Sequence, residues 1–276
     1  MSRAQGLIPL LLSLALPATE AVGQENSGLV PLITREDLRG FEPVGRIDIA
    51  GAGFCTGTLI AADLVLTAAH CVFEPDGAPI AADRITFRAG FSYGVSLVDA
   101  GVARTIVPKD YRMIEPAPVA VIAADVALLQ LAEPIPSGVI SPFVIALPGT
   151  GDEVSVVSYA AGREEALSWQ RACQVVARQG GLIATDCDVT FGASGAPVLD
   201  RSGYRARIVS IISVGAEVEG KRVAVGMELP DLVADLKAAL YRGEATSAAV
   251  PASDDGTAKR ILVGDGNQTG AKVISP

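Results

Sequence analysis

Leu66-Thr67-Ala68-Ala69-His70-Cys71 closes a short apolar run and carries the only histidine of the chain. Imidazole is the commonest acid–base side chain, so any imidazole chemistry here rests on His70. A lone histidine is by default structural. Two features of its setting raise its interest. It ends a run of strand-like length, where a side chain can be held rigidly at an open edge. It also adjoins Cys71, whose backbone a bridge to Cys55 could pin.

Two further segments complete a constellation. Phe191-Gly192-Ala193-Ser194-Gly195-Ala196-Pro197 places a serine between glycines. Such a serine is commonly just a turn. On a tight loop it is also where a nucleophile can meet a substrate while backbone N–H groups face a developing oxyanion. Asp125-Val126-Ala127-Leu128-Leu129-Gln130-Leu131 opens an apolar run with an acid. That acid is either a strand cap or a buried carboxylate that orients an imidazole. The chain order is His, Asp, Ser. An α/β-hydrolase would need G-x-S-x-G with the acid and the histidine after the serine, and no histidine follows Ser194. Subtilisin order would need an acid ahead of His70, with Asp63 nearest, but the strand-rich pattern does not suit that fold.

That pattern extends over most of the chain. Short segments rich in Val, Ile, Leu and Thr recur at 44–50, 55–60, 64–69, 84–89, 126–131, 154–159, 171–178, 195–199 and 208–214, punctuated by Gly, Pro and Asp. They have the length of strands rather than helices, which predicts an all-β sandwich or barrel. Pro116 and Pro118 mark a surface loop. One helix is expected late: Pro230 suits a first turn, Leu232, Val233, Leu236, Ala239 and Leu240 follow at helical spacing, and Gly243 is a stop.

With 276 residues, half of them hydrophobic, the chain can bury a substantial core. Its formal net charge of −9 lacks the cationic surplus of a nucleic-acid binder. One histidine rules out a polyhistidine zinc site. The four cysteines, Cys55, Cys71, Cys173 and Cys187, form no C-x-x-C pair. Residues 1–23 read as a secretory signal, with Arg3, an apolar run over 7–16 and small residues Ala21 and Gly23. Export makes disulfides expected. Four cysteines allow three pairings, and proximity suggests Cys55–Cys71 with Cys173–Cys187. Residues 24–40 read as a propeptide or N-terminal arm, and 244–276 as a mostly disordered tail. The sequon at Asn267 and a calcium site at Asp186 and Asp188 are weak signals.

Together the motifs resemble those of chymotrypsin/trypsin-like serine peptidases, most nearly the short bacterial-type branch that includes the glutamyl endopeptidases. The resemblance spans roughly 41–243. It rests on FCTGTLI at 54–60, TAAHC at 67–71, DVALLQL at 125–131, GASGAP at 192–197 and SIISVG at 210–215. It implies two six-stranded antiparallel β-barrels packed together, with a C-terminal α-helix. It implies a secreted or periplasmic serine endopeptidase without metal or cofactor, acting on peptides or proteins, monomeric by default, with no membrane span after signal cleavage.

Residue by residue, the resemblance makes Ser194 the nucleophile, His70 the general base and then acid, and Asp125 the group fixing the His70 tautomer. The Gly192 and Ser194 N–H groups would form the oxyanion hole, at about 2.7–4 kcal/mol per donor. Ser213, Val214 and Gly215 would pair with the substrate backbone. The cysteine pairs match the family's bridges. Asp188 stands at the offset of the acid that selects Lys or Arg, while Ile212 replaces the pocket histidine of glutamyl-specific relatives. Ala193 replaces the Asp that larger relatives pair with a freed N-terminus, so that ion pair is not expected to switch this protein on. The alternative function is a catalytically inactive homologue serving as a secreted protein-binding module.

Overall fold

The computed structural model describes residues 28–114, 116–218, 220–244 and 272–273. The signal segment, the start of the 24–40 arm, most of the tail and Asn267 lie outside these residues. The elements are β1 (Leu29–Leu32), β2 (Val44–Ile49), β3 (Gly53–Ala61), β4 (Leu64–Thr67), β5 (Ile85–Ala89), β6 (Val98–Ile106), α1 (Val119–Ala123) and β7 (Ala127–Leu131). Then come β8 (Val144–Ile145), β9 (Glu153–Ala160), β10 (Arg163–Gln179), β11 (Leu182–Thr185), β12 (Pro197–Asp200), β13 (Arg207–Ile211), β14 (Val214–Val218), β15 (Lys221–Met227), α2 (Pro230–Tyr241) and β16 (Lys272–Val273).

The first half closes as an antiparallel barrel in the order β2-β3-β4-β7-β6-β5. Its interior holds Ile47, Leu59, Val65, Phe87, Ala127 and Leu129. Because successive strand residues face opposite sides, β4 serves two cores. Val65 fills the barrel, while Leu64 and Leu66 join a second cluster with Val157, Leu236 and Leu240. In the same way β7 sends Leu129 inward and Leu128 outward. Strands buried on both faces read as continuous apolar runs rather than alternations, which is why they are legible in sequence.

The second half departs from the expected closed barrel. It is a ten-stranded sheet in the order β16-β14-β15-β11-β10-β9-β12-β13-β8, with β1 on β10. The sheet curls until β13 meets β15. There Ser213 N–H donates to Val225 O at 3.0 Å and Ser210 Oγ to Met227 O at 2.9 Å. A Cβ on Gly226 would fall 1.9 Å from the Ile211 carbonyl oxygen, so only glycine admits this approach. No ladder joins the two strands among the described residues, and the ring stays open in that sense. Part of the 24–40 arm is built into this sheet, since Leu29–Leu32 pairs with Gln170–Leu167.

Helix α2 starts with Pro230 at its first turn and buries Val233, Leu236, Ala239 and Leu240 against the core between the halves. Gly243 takes φ +77° and its N–H donates to Leu240 O, ending the helix.

Candidate active site

His70 lies in a single 3₁₀ turn, Ala69–Val72, directly after β4. Cys71 is bridged to Cys55 on β3, and Cys173 to Cys187. All four cysteines are buried. The turn is therefore fixed from three sides: by the β4 ladder, by the bridge, and by Asp125.

Asp125 sits between α1 and β7 and is only 3% exposed. Its Oδ1 accepts the His70 backbone N–H at 2.9 Å, and its Oδ2 lies 2.8 Å from His70 Nδ1. Ser213 Oγ donates to the same Oδ2 at 2.5 Å. Burial alone would push this carboxyl up. The charge of the adjoining imidazole and the bonds from His70 and Ser213 outweigh burial and hold it below the ordinary aspartate value. An ionised acceptor against Nδ1 keeps the ring proton there and leaves the Nε2 lone pair available.

Ser194 is clamped by its own backbone. Thr56 N–H donates to Ser194 O at 2.9 Å, and Gly195 N–H to Ile212 O at 2.7 Å. Thr56 Oγ1 donates to Gly192 O at 2.9 Å, and Ala193 N–H to Thr190 O at 3.1 Å. Gly192 and Gly195 take φ of +83° and +75°. A Cβ at Gly195 would lie 2.2 Å from Thr67 Oγ1 and 2.4 Å from Thr56 O. The N–H groups of Gly192 and Ser194 donate to no acceptor among the described residues, whereas the intervening Ala193 N–H is used. Ala193 is fully buried and cannot receive an ammonium partner.

His70, Asp125 and Ser194 line one cleft of about 450 Å³ with Ser213, Val214 and Gly215. One edge of β14 pairs with β15. Among the described residues its other edge carries the two-residue β16 alone, at Ala216 and Glu217. A larger recess of about 850 Å³ lies between α2 and the segment after β6. It contains neither His70 nor Ser194, which the smaller cleft brings together. One grouping of potential metal ligands occurs among the described residues: Cys55, His70 and Cys71. Both sulfurs are committed to the bridge and Nδ1 faces a carboxylate, so these groups do not suit a metal.

Asp188 is not brought into the cleft, although its neighbours Cys187, Val189 and Thr190 line it. Its N–H donates to Gln170 Oε1, and its charge acts on Arg163, whose Nη1 and Nη2 are buried without a hydrogen-bond partner. The acid thus offsets a buried guanidinium, which burial holds below its ordinary value. The pocket-acid assignment of Asp188 is corrected accordingly. Sequence reasoning missed the opposite wall, formed by Tyr111, Met113, Ile114, Ala117, Val121 and Ile122. The prolines there had marked only a surface loop. The apolar spacing between them was the available signal.

The trypsin-like peptidase domain is matched over residues 55–205. No curated protein matches the chain. A solved structure described as a Glu endopeptidase in complex with MPD is similar with a TM-score of 0.63 and 18% identity, covering 78% of this chain and 97% of the other. At that identity the likeness concerns the fold. The family match spans more than half of the sequence and includes His70, Asp125 and Ser194, and the chain belongs to the trypsin-like peptidase family.

Proposed function

We propose that this protein is an exported serine endopeptidase working through Ser194, His70 and Asp125. The observation carrying this reading is the buried Asp125 carboxylate bonded to His70 Nδ1 at the head of the cleft that Ser194 shares. Ser194 Oγ attacks the scissile carbonyl while His70 Nε2 takes its proton. The carbonyl oxygen becomes an oxyanion facing the Gly192 and Ser194 N–H groups. Collapse breaks the C–N bond, the imidazolium protonates the leaving amine, and an acyl-enzyme remains. Water then attacks with His70 again as base, releasing the acid and restoring the serine. Asp125 keeps the ring tautomer and stabilises the imidazolium; Ser213 holds Asp125.

Substrate backbone would add as a strand on the free edge of Ser213, Val214 and Gly215. Two disulfides fit an oxidising compartment, consistent with secretion or the periplasm. The test is labelling of Ser194 by a fluorophosphonate, together with cleavage of a diverse peptide library by the wild type and Ser194→Ala. Labelling and cleavage by the wild type alone are expected. Neither labelling nor cleavage would return the chain to the reading of a binding homologue.

A further inference from the structure

The composition of the cleft walls points to a substrate class. Apart from His70 and Asp125, Arg222 is the only charged residue among the described residues lining the cleft. One wall beside Ser194 is Val189, Thr190 and Phe191, and the other is Ile212, Val214 and Gly215. Phe191 is 55% exposed at this rim, continuous with the other apolar residues lining the cleft. Farther along, Met113, Ile114 and Val121 are half-buried, with their remaining surface available to the cleft.

Among the described residues lining the cleft, Asp125 is the only acid, and it is bonded to His70 and Ser213 rather than open to a cationic side chain. Arg222 stands opposite Glu217 in the β14–β15 register, yet no ion pair joins them. Its positive charge at the cleft disfavours Lys or Arg there.

We propose that this cleft selects extended peptides with an aliphatic or other apolar residue at the attacked carbonyl and apolar residues upstream, and rejects Lys and Arg there. Ile212 and Val189 leave an apolar slot for the first side chain. Met113, Ile114 and Val121, with Val214, form a trough for those before it. An apolar pocket gains from each methylene buried and loses heavily when an ammonium is desolvated without a partner. The inference rests on the peptidase reading for its catalytic part but not for its binding part.

The experiment uses matched blocked peptides carrying Leu, Val, Lys, Arg or Glu at the attacked residue. For the full-length wild type, kcat/KM for Leu or Val should exceed that for Lys or Arg by about 100-fold or more. Higher kcat/KM for Lys, Arg or Glu than for Leu overturns the inference while leaving the peptidase reading intact. Arg222→Glu, an exposed and fold-safe change, should narrow the Leu-over-Lys ratio about tenfold; an unaltered ratio overturns the role of Arg222. Ile114→Glu should raise KM about tenfold more for a peptide with Leu upstream than for one with Gly.

The same peptides, fluorescently tagged, are titrated onto Ser194→Ala by anisotropy. Preference for Leu over Lys in that binding, with no cleavage or labelling of the wild type, supports the substrate class and overturns the peptidase reading. Equal binding of all peptides overturns the substrate class.

Discussion

The two halves of the molecule hold their functional groups by different means. The first is a closed six-stranded barrel, and His70 and Asp125 sit at its edge, joined by two direct hydrogen bonds. The second is an open, curled sheet in which β10 runs seventeen residues with two register shifts against β9. It supplies the Ser194 loop, the β14 edge and much of the cleft wall. A closed ladder leaves no strand edge free to slip, which suits groups that must keep an alignment. An open edge can accept another strand, which would suit the half proposed to meet a peptide.

The largest effect tests whether both halves serve a single step. Ser194→Ala and His70→Ala, one in each half, are each expected to lower kcat by about 10⁶-fold. The double variant should be no worse than either, and steady-state kinetics would reveal independence if the losses multiplied. Asp125→Asn removes the acceptor that fixes the ring proton, and a fall of about 10⁴-fold in kcat is expected.

Its pH behaviour has a definite sign. A carboxyl held lower in the folded state stabilises above its unfolded pKa, and that contribution is lost as pH falls through the folded value. The unfolded value is about 3.9. The melting-temperature gap between wild type and Asp125→Asn should therefore be flat from neutral pH down to about 5 and shrink below about 4.

Next in size are the bridges, one per half. Their loops span 16 and 14 residues, so replacing either pair by alanine should cost about 3 kcal/mol in chemical denaturation. The kinetic signatures should differ. Loss of Cys55–Cys71, beside His70, is expected mainly in kcat; loss of Cys173–Cys187, whose Cys187 lines the cleft, mainly in KM. Ser213→Ala has the smallest expected effect, about tenfold in kcat, because Asp125 keeps both bonds to His70. A change in KM alone would make Ser213 a contact for substrate rather than a support for Asp125.

The same contrast explains what the sequence made legible. The segments around His70, Asp125 and Ser194 are local motifs, readable because chemistry constrains neighbouring positions. Strands β4 and β7 stood out because both faces are buried. Strand β6 alternates buried Ala100 and Val102 with exposed residues and so shows no apolar run. Strand β1 finds its partner about 140 positions away at Leu167–Gln170, which no local pattern announces. Asp188 is not among the residues lining the cleft, although its offset suggested a pocket acid, because an offset in sequence does not report where a side chain lies in the fold.

Thr56 is a fully buried residue of the first barrel, yet its N–H holds Ser194 O and its hydroxyl holds Gly192 O and accepts Tyr159 N–H. Thr67, three positions before His70, donates in turn to Thr56 O. The segment carrying His70 is thus bolted through one threonine to the segment carrying Ser194. This link is separate from the connecting chain at 132–143, which packs Ile140 in the first core and Phe143 in the second. A protein nicked in that connection is expected to keep its activity, because the threonine link survives the cut. Inactivation by heat and separation of the halves would be a single event.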